Sequence, residues 1–263
     1  MLGNNELGTV GDGTFSQQGE ELVRSQPVAA LGGLSFAQLS AGWDRTCGVT
    51  VGGLAYCWGN NGGVPNWGVD DNNDPAGLLG VGSLAHIIAQ PSQVSGAAQW
   101  ADVSAGYRYG CGRTAAGALS CWGANRWGDS TFFAGRGGQL GDGTRVTRTQ
   151  PGPTATGALS FSSVGTSYLG ACALSTVGEA WCWGTNQLGE VGDGGSTVFA
   201  TNHDYPTPTK VVGGHIFSAL SVGQVIACGV TTGGETWCWG GNFYGGLGDG
   251  TTVNRSSPVK VSP

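Results

Sequence analysis

The chain has 263 residues, 52 of them glycine, about three times the usual share. Charged residues are scarce at 11%, yet 39% are hydrophobic and ten are tryptophan, which excludes disorder; the glycines keep no G-X-Y period, which excludes collagen, and are too dense for long helices. The net charge is −6, with lysines only at Lys210 and Lys260 and scattered arginines, so no nucleic-acid partner and no anionic membrane surface is expected.

Residues 1–35 read as a glycine-rich loop, GNNELGTVGDGT, followed by a proline-bearing segment, SQPVAAL, with no strands ahead of them. Residues 36–98 begin with a FAQLSAG strand. A TCGVT strand follows, then a tight turn at Val51-Gly52-Gly53, a LAYCWG strand, a long loop and a QPSQV strand. The same order recurs over residues 99–158, 159–214 and 215–263. Cys47 and Cys57, Cys111 and Cys121, Cys172 and Cys182, and Cys228 and Cys238 share the spacing C-x9-C, and Trp-Gly follows each second cysteine. A Ser-Ala-Gly or Ser-Val-Gly element precedes each pair and ends at Gly42, Gly106, Gly165 and Gly223. Glycine at each midpoint folds the pair into a β-hairpin that sets the cysteines opposite one another, within reach of a disulfide. Four antiparallel strands per unit make a propeller blade, and proline belongs on its outer strand. The fold class expected is all-β: four full β-propeller blades plus an N-terminal half-blade.

The pattern G-x(4)-C-[GA]-[VL]-T…C-W-G-x-N…G-x-L-G-D-G-T…P-x-x-V resembles the repeats of the regulator of chromosome condensation family. It is most similar to their cysteine-bearing, secreted bacterial variant and covers nearly the whole chain. The resemblance implies blades of a ring that usually has seven. At the family's histidine position, two residues before the first cysteine, stand Arg45, Tyr109, Gly170 and Ile226. Guanine-nucleotide exchange and chromatin binding, the founder's roles, are therefore the last expectation. Three arrangements stay open: four blades closing alone, a stretch of a larger propeller, or an assembly of copies.

Four hairpin disulfides would each contribute roughly 2–3 kcal/mol and point to an oxidising, extracellular setting. The start lacks a basic n-region and an apolar h-region, so a leader is expected to have been removed. No apolar run approaches a membrane-spanning helix. Trp58, Trp122, Trp183 and Trp239 occupy one repeated position and are expected between blades. Trp43, Trp67, Tyr107, Trp127, Phe132, Phe133, Phe199 and Tyr244 read as turn or insertion aromatics outside the repeat, and are the candidate binding loops.

The turn aspartates Asp12, Asp142, Asp193 and Asp249 read as braces. Asp70, Asp71 and Asp74 form a weak calcium candidate without EF-hand spacing; no other metal, no cofactor and no catalytic set is expected. Asn254-Arg255-Ser256 is a glycosylation sequon. The function expected is non-enzymatic recognition of a protein or glycan through blade loops. The alternative is a structural subunit that self-associates through the half-blade, so that losing residues 1–32 abolishes assembly.

Overall fold

The structure, a computed structural model, describes residues 1–16, 22–62, 76–96, 98–126, 137–168, 170–195 and 204–262. Among the described residues there is no helix. A two-stranded ladder joins β1 (Gly3–Asn4) to β2 (Val23–Arg24). Four four-stranded antiparallel sheets follow. Blade 1 is β3 (Phe36–Ala41), β4 (Arg45–Thr50), β5 (Ala55–Asn60) and β6 (Ile87–Gln93). Blade 2 is β7 (Trp100–Ala105), β8 (Tyr109–Thr114), β9 (Leu119–Gly123) and β10 (Arg148–Pro153). Blade 3 is β11 (Phe161–Thr166), β12 (Gly170–Ser175), β13 (Ala180–Thr185) and β14 (Asp204–Lys210). Blade 4 is β15 (Phe217–Val222), β16 (Ile226–Thr231), β17 (Thr236–Gly240) and β18 (Arg255–Lys260).

Each sheet follows from its turn chemistry. The hairpins between second and third strands turn on Gly53, Gly117, Gly178 and Gly234, at φ of 78°, 83°, 82° and 84°. That left-handed conformation is open to glycine at no steric cost. The register then pairs Cys47 with Cys57, Cys111 with Cys121, Cys172 with Cys182 and Cys228 with Cys238. All four disulfides form, with Cα atoms 4.0–4.1 Å apart. Prolines 91, 151, 153, 206, 208 and 258 fall on the outer strands, where a missing N–H costs no central ladder bond.

One register differs from the sequence reading. In blade 3 it is Gly165 that faces Cys172, as Ser40 faces Cys47, Ser104 faces Cys111 and Ser221 faces Cys228. The residue equivalent to Gly42, Gly106 and Gly223 is therefore Ser167, whose amide closes the same turn onto Gly170. The turn has the same length in all four blades, so the Ser-Val-Gly of blade 3 ends two residues earlier, inside the first strand, and is not the equivalent of the other three.

Neighbouring blades meet through a repeated junction. The hairpin and disulfide of one blade pack against the first-strand aromatic and the Cys-Trp-Gly tryptophan of the next. Trp58, Trp122, Trp183 and Trp239 are almost wholly buried. Over each indole lies a loop glycine from the preceding repeat: Gly11 on Trp58, Gly80 on Trp122, Gly141 on Trp183 and Gly192 on Trp239. A Cβ at any of them would sit 2.7–2.9 Å from the ring. Three of the indoles donate from Nε1 to a loop carbonyl, Trp58 to Thr9 (2.9 Å), Trp183 to Gln139 (2.8 Å) and Trp239 to Glu190 (3.0 Å). The hairpin tip also accepts the amide of the next first-strand aromatic: Gly53 from Trp100, Gly117 from Phe161 and Gly178 from Phe217.

The loops that cap the tryptophans are braced from within. Asn5, Asn125, Asn186 and Asn242 are buried; each donates to the turn aspartate of its own loop, Asp12, Asp142, Asp193 or Asp249, at 3.0–3.2 Å. Burial works to raise the Asp12 pKa, but bonds from Thr14, Arg24 and Asn5 outweigh it and hold it at about 2. Asn254 is likewise structural, its side-chain carbonyl accepting the Asn242 amide at 2.8 Å.

The three junctions do not bring blade 4 round to blade 1, and the sheets form an open arc rather than a ring. Four blades therefore do not close alone. The outer faces show the consequence. Leu39 of blade 1 is 49% exposed, against 2% for its blade 2 equivalent Val103; Val230 of blade 4 is 38% exposed, against 2% and 5% for Val49 and Leu174.

Truncating Trp183 to alanine should cost about 3–5 kcal/mol, because it empties the junction between blades 2 and 3. Chemical denaturation of the non-reduced protein measures this, and a loss under about 1 kcal/mol, the level of a surface substitution, would contradict the role given to the indole.

Candidate functional site

The turns between first and second strands form one rim of the arc. In blade 1 the Gly42 amide closes its turn onto the Arg45 carbonyl at 2.8 Å, and in blade 2 Gly106 closes onto Tyr109 at 2.9 Å. Serines fasten adjacent turns: Ser40 Oγ accepts the Ala105 amide and Ser104 Oγ accepts the Thr166 amide, each at 3.0 Å. Packing is close enough that a Cβ at Gly42 would lie 2.8 Å from the Gly106 carbonyl.

This spacing brings three aromatic rings into a row. Trp43 meets Tyr107 edge to face at 6.1 Å, and Tyr107 stacks on Tyr168 at 4.4 Å. Each is the fourth residue before the first cysteine of its repeat, and Gln224 holds that position in blade 4. Together with the flanking turns they line an open groove of about 340 Å³ that touches all four blades. Trp43 is 73% exposed, whereas Tyr107 behind it is 6% exposed. Burial, with Tyr168 alongside, pushes the Tyr107 phenol well above its usual range. It is held neutral at any physiological pH.

Two side chains brace the strands that follow these turns. Tyr109 donates its hydroxyl to the Gly170 carbonyl and accepts the Ser167 amide at 3.2 Å, tying blade 2 to the turn that carries Tyr168. Arg45 is buried, donating to Asp44 at 3.2 Å and to the Leu78 carbonyl at 3.4 Å.

Comparison with known proteins agrees with the repeat geometry. Residues 36–62, the first three strands of blade 1 and the asparagine beyond, match the regulator of chromosome condensation (RCC1) repeat. The chain carries RCC1-type propeller repeats. The ultraviolet-B receptor UVR8 of Arabidopsis thaliana is 27% identical over 261 residues, covering 98% of this chain and 52% of that protein. The mitochondrial RCC1 domain-containing protein RUG3 of the same plant is 26% identical over 231 residues, covering 86% and 47%. Human WBSCR16 superposes with a TM-score of 0.74 at 20% identity, covering 100% of this chain and 62% of that one. Yeast RCC1 (Prp20), in a crystal with Kap60, gives 0.71 at 18% identity, covering 95% and 56%. The chain spans about half the length of the curated relatives it matches.

The RCC1-type register corrects one sequence reading. Trp43 and Tyr107 do not lie outside the repeat: they occupy one equivalent position, and Tyr168, which the sequence reading passed over, is its third aromatic. Counting back four residues from each first cysteine would have found all three. Tyr244 lies elsewhere, fully exposed on the blade 4 loop. Trp67, Trp127, Phe132, Phe133 and Phe199, with Asp70, Asp71 and Asp74, fall outside the described residues. Among the described residues no three His, Cys, Asp or Glu side chains converge on a metal-sized site.

Behind the rim, Ser167, Gly170, Val225 and Glu190 line a second, smaller hollow between RCC1-type blades 3 and 4. Burial there raises the Glu190 pKa from 4.5 to about 7, against a 2.7 Å bond from the Leu188 amide to its carboxylate. The folded state therefore favours the protonated acid. Stability should be highest below pH 4.5 as far as this group is concerned, fall as pH rises, and level off above about 7. In Glu190→Gln that slope should disappear from thermal melts taken between pH 5 and 8; an unchanged slope would assign it elsewhere.

Proposed function

We propose that the chain is a non-enzymatic recognition module that binds a protein partner through the aromatic rim, outside the cell. The observation that carries this reading is the row Trp43–Tyr107–Tyr168, with one largely exposed indole held against a buried neighbour. A large aromatic anchor whose rotamer is supported from behind loses little entropy on binding, and such anchors dominate protein interfaces. A sugar ring needs a free aromatic face on which to lie. Here Tyr107 and Tyr168 stack on each other, which leaves Trp43 as a single exposed ring; one isolated anchor suits a protein surface better than an extended glycan.

Three further observations are compatible with this reading. The yeast protein of the same fold was crystallised with Kap60, and its binding to Gsp1p and histones is named in a second structure. Four disulfides among RCC1-type blades suit an oxidising compartment. Among the described residues no helix is long and apolar enough to cross a membrane.

A displayed-peptide selection against the non-reduced protein, beside a panel of neutral and charged glycans, tests the proposal. Selected peptides should change the tryptophan emission of the parent chain and lose at least about tenfold in affinity, some 1.4 kcal/mol, on Trp43→Ala. Tyr244→Ala should leave them unaffected. Glycan binding that depends on Trp43, or peptides indifferent to it, would overturn the assignment.

A further inference from the structure

Every disulfide lies inside one RCC1-type blade, so none crosses a seam between blades. At the seam between blades 2 and 3, two phenols are held where a covalent tie could form. Tyr107, on the rim turn of blade 2, stacks on Tyr168, on the same turn of blade 3, with ring centroids 4.4 Å apart and planes 30° apart. The Tyr168 hydroxyl also lies within hydrogen-bonding reach of the Tyr107 phenol. The two rings therefore point the same way, and the ortho carbons flanking their hydroxyls, the Cε atoms, come close together. Directly bonded phenol rings keep their centres about as far apart as these two, so a bond between them asks the rings to tilt and leaves the backbones in place.

Those backbones are fixed. The Gly106 amide bonds to the Tyr109 carbonyl at 2.9 Å, the Ser167 amide to Gly170 at 2.7 Å, and the Tyr168 amide to the Gln224 carbonyl at 3.3 Å. The other tyrosines are placed differently. Tyr56 meets Phe36 edge to face at 6.2 Å, Tyr109 donates to the Gly170 carbonyl, Tyr205 donates to Asp193, and Tyr244 stands fully exposed.

Access to the pair is uneven. Tyr168 lines the open groove, whereas Tyr107 is buried with the exposed Trp43 edge-on to it at 6.1 Å. A bulky oxidant thus reaches Trp43 and Tyr168 but not Tyr107. An indole that has lost an electron regains one from a phenol in contact with it when that phenol releases its proton at the same time. Burial keeps Tyr107 neutral, and its neighbour Tyr168 gives the proton a way out to the groove.

We propose that Tyr107 and Tyr168 form an oxidative coupling site that ties blade 2 to blade 3 through a carbon–carbon bond between their Cε atoms, with Trp43 as the relay that oxidises Tyr107. The co-reactant is a one-electron oxidant of the kind a haem peroxidase makes from hydrogen peroxide. Two electrons and the two hydroxyl protons leave the pair, and they reduce one peroxide to two waters. The two phenoxyl radicals combine at Cε. The hydrogen on each bonded carbon then moves to its own ring oxygen, which restores both phenols and leaves the chain lighter by two hydrogen atoms. This chemistry needs only the pair and the oxidant, and it is read without peptide binding, so either proposal can fail without the other.

Dilute, non-reduced protein treated with hydrogen peroxide and a haem peroxidase tests the inference. The parent should give a single-chain product lighter by two hydrogen atoms, with the blue emission of a biphenol. After reduction of the disulfides, a peptide map should show the peptides of Tyr107 and Tyr168 joined. Tyr168→Phe keeps the ring and removes the hydroxyl, and should abolish the product; Tyr244→Phe should leave it intact. Trp43→Phe should slow its formation several-fold. An unchanged parent mass, coupling confined to Tyr244 between chains, or a product that survives Tyr168→Phe overturns the site, and a Trp43→Phe rate equal to the parent's overturns the relay. Should a variant not fold, the peptide map of the parent decides alone: joined peptides uphold the site, and separate ones reject it.

Discussion

Everything in this molecule depends on seating an indole beneath a glycine. The ring of each Cys-Trp-Gly tryptophan fills the gap between sheets, and only a residue without a Cβ lets the covering loop close onto it. Dispersion falls off steeply with separation, so a side chain at that position would forfeit both the contact and, at three of the four junctions, the bond from Nε1. The buried asparagine and the turn aspartate then hold the loop in shape before any neighbour arrives. This explains how the blade 4 loop keeps its form although, among the described residues, no indole lies beneath it.

The disulfides answer a different need. Glycine-rich strands lose much conformational entropy on folding and bury few large side chains. A crosslink across each central hairpin fixes the register at the point where glycine leaves it weakest. It also presents a compact sulfur surface to the aromatic residues of the next blade. The same bond is thus a brace within one sheet and part of the packing surface for its neighbour.

Much of the fold was legible because the repeat is written in residues with strong geometric demands. C-x9-C with a central glycine sets the hairpin register; proline marks the outer strand; Asp-Gly-Thr marks the loop. The rim was less legible. Trp43 and Tyr107 look like strays because the Ser-Val-Gly of blade 3 sits two residues early, in the first strand, and aligning on it hides their equivalence to Tyr168. That the arc stays open was legible only as one of the arrangements that the spare half-blade left possible. Junction angles arise from how rings, sulfurs and loops pack in three dimensions, and no spacing along the chain encodes them. Tyr109 shows the remaining gap: at the family's histidine position it is a strut between blades, a role that depends on a carbonyl 61 residues away.

The crosslinks join residues only ten apart, always inside a blade and never between blades. Mechanically the arc is a row of stitched plates joined by unstitched seams. A load applied through the ends of the chain would part the seams first. Each blade could then pay out only the length on either side of its stitch, and reduction would release the ten-residue step that each crosslink holds back.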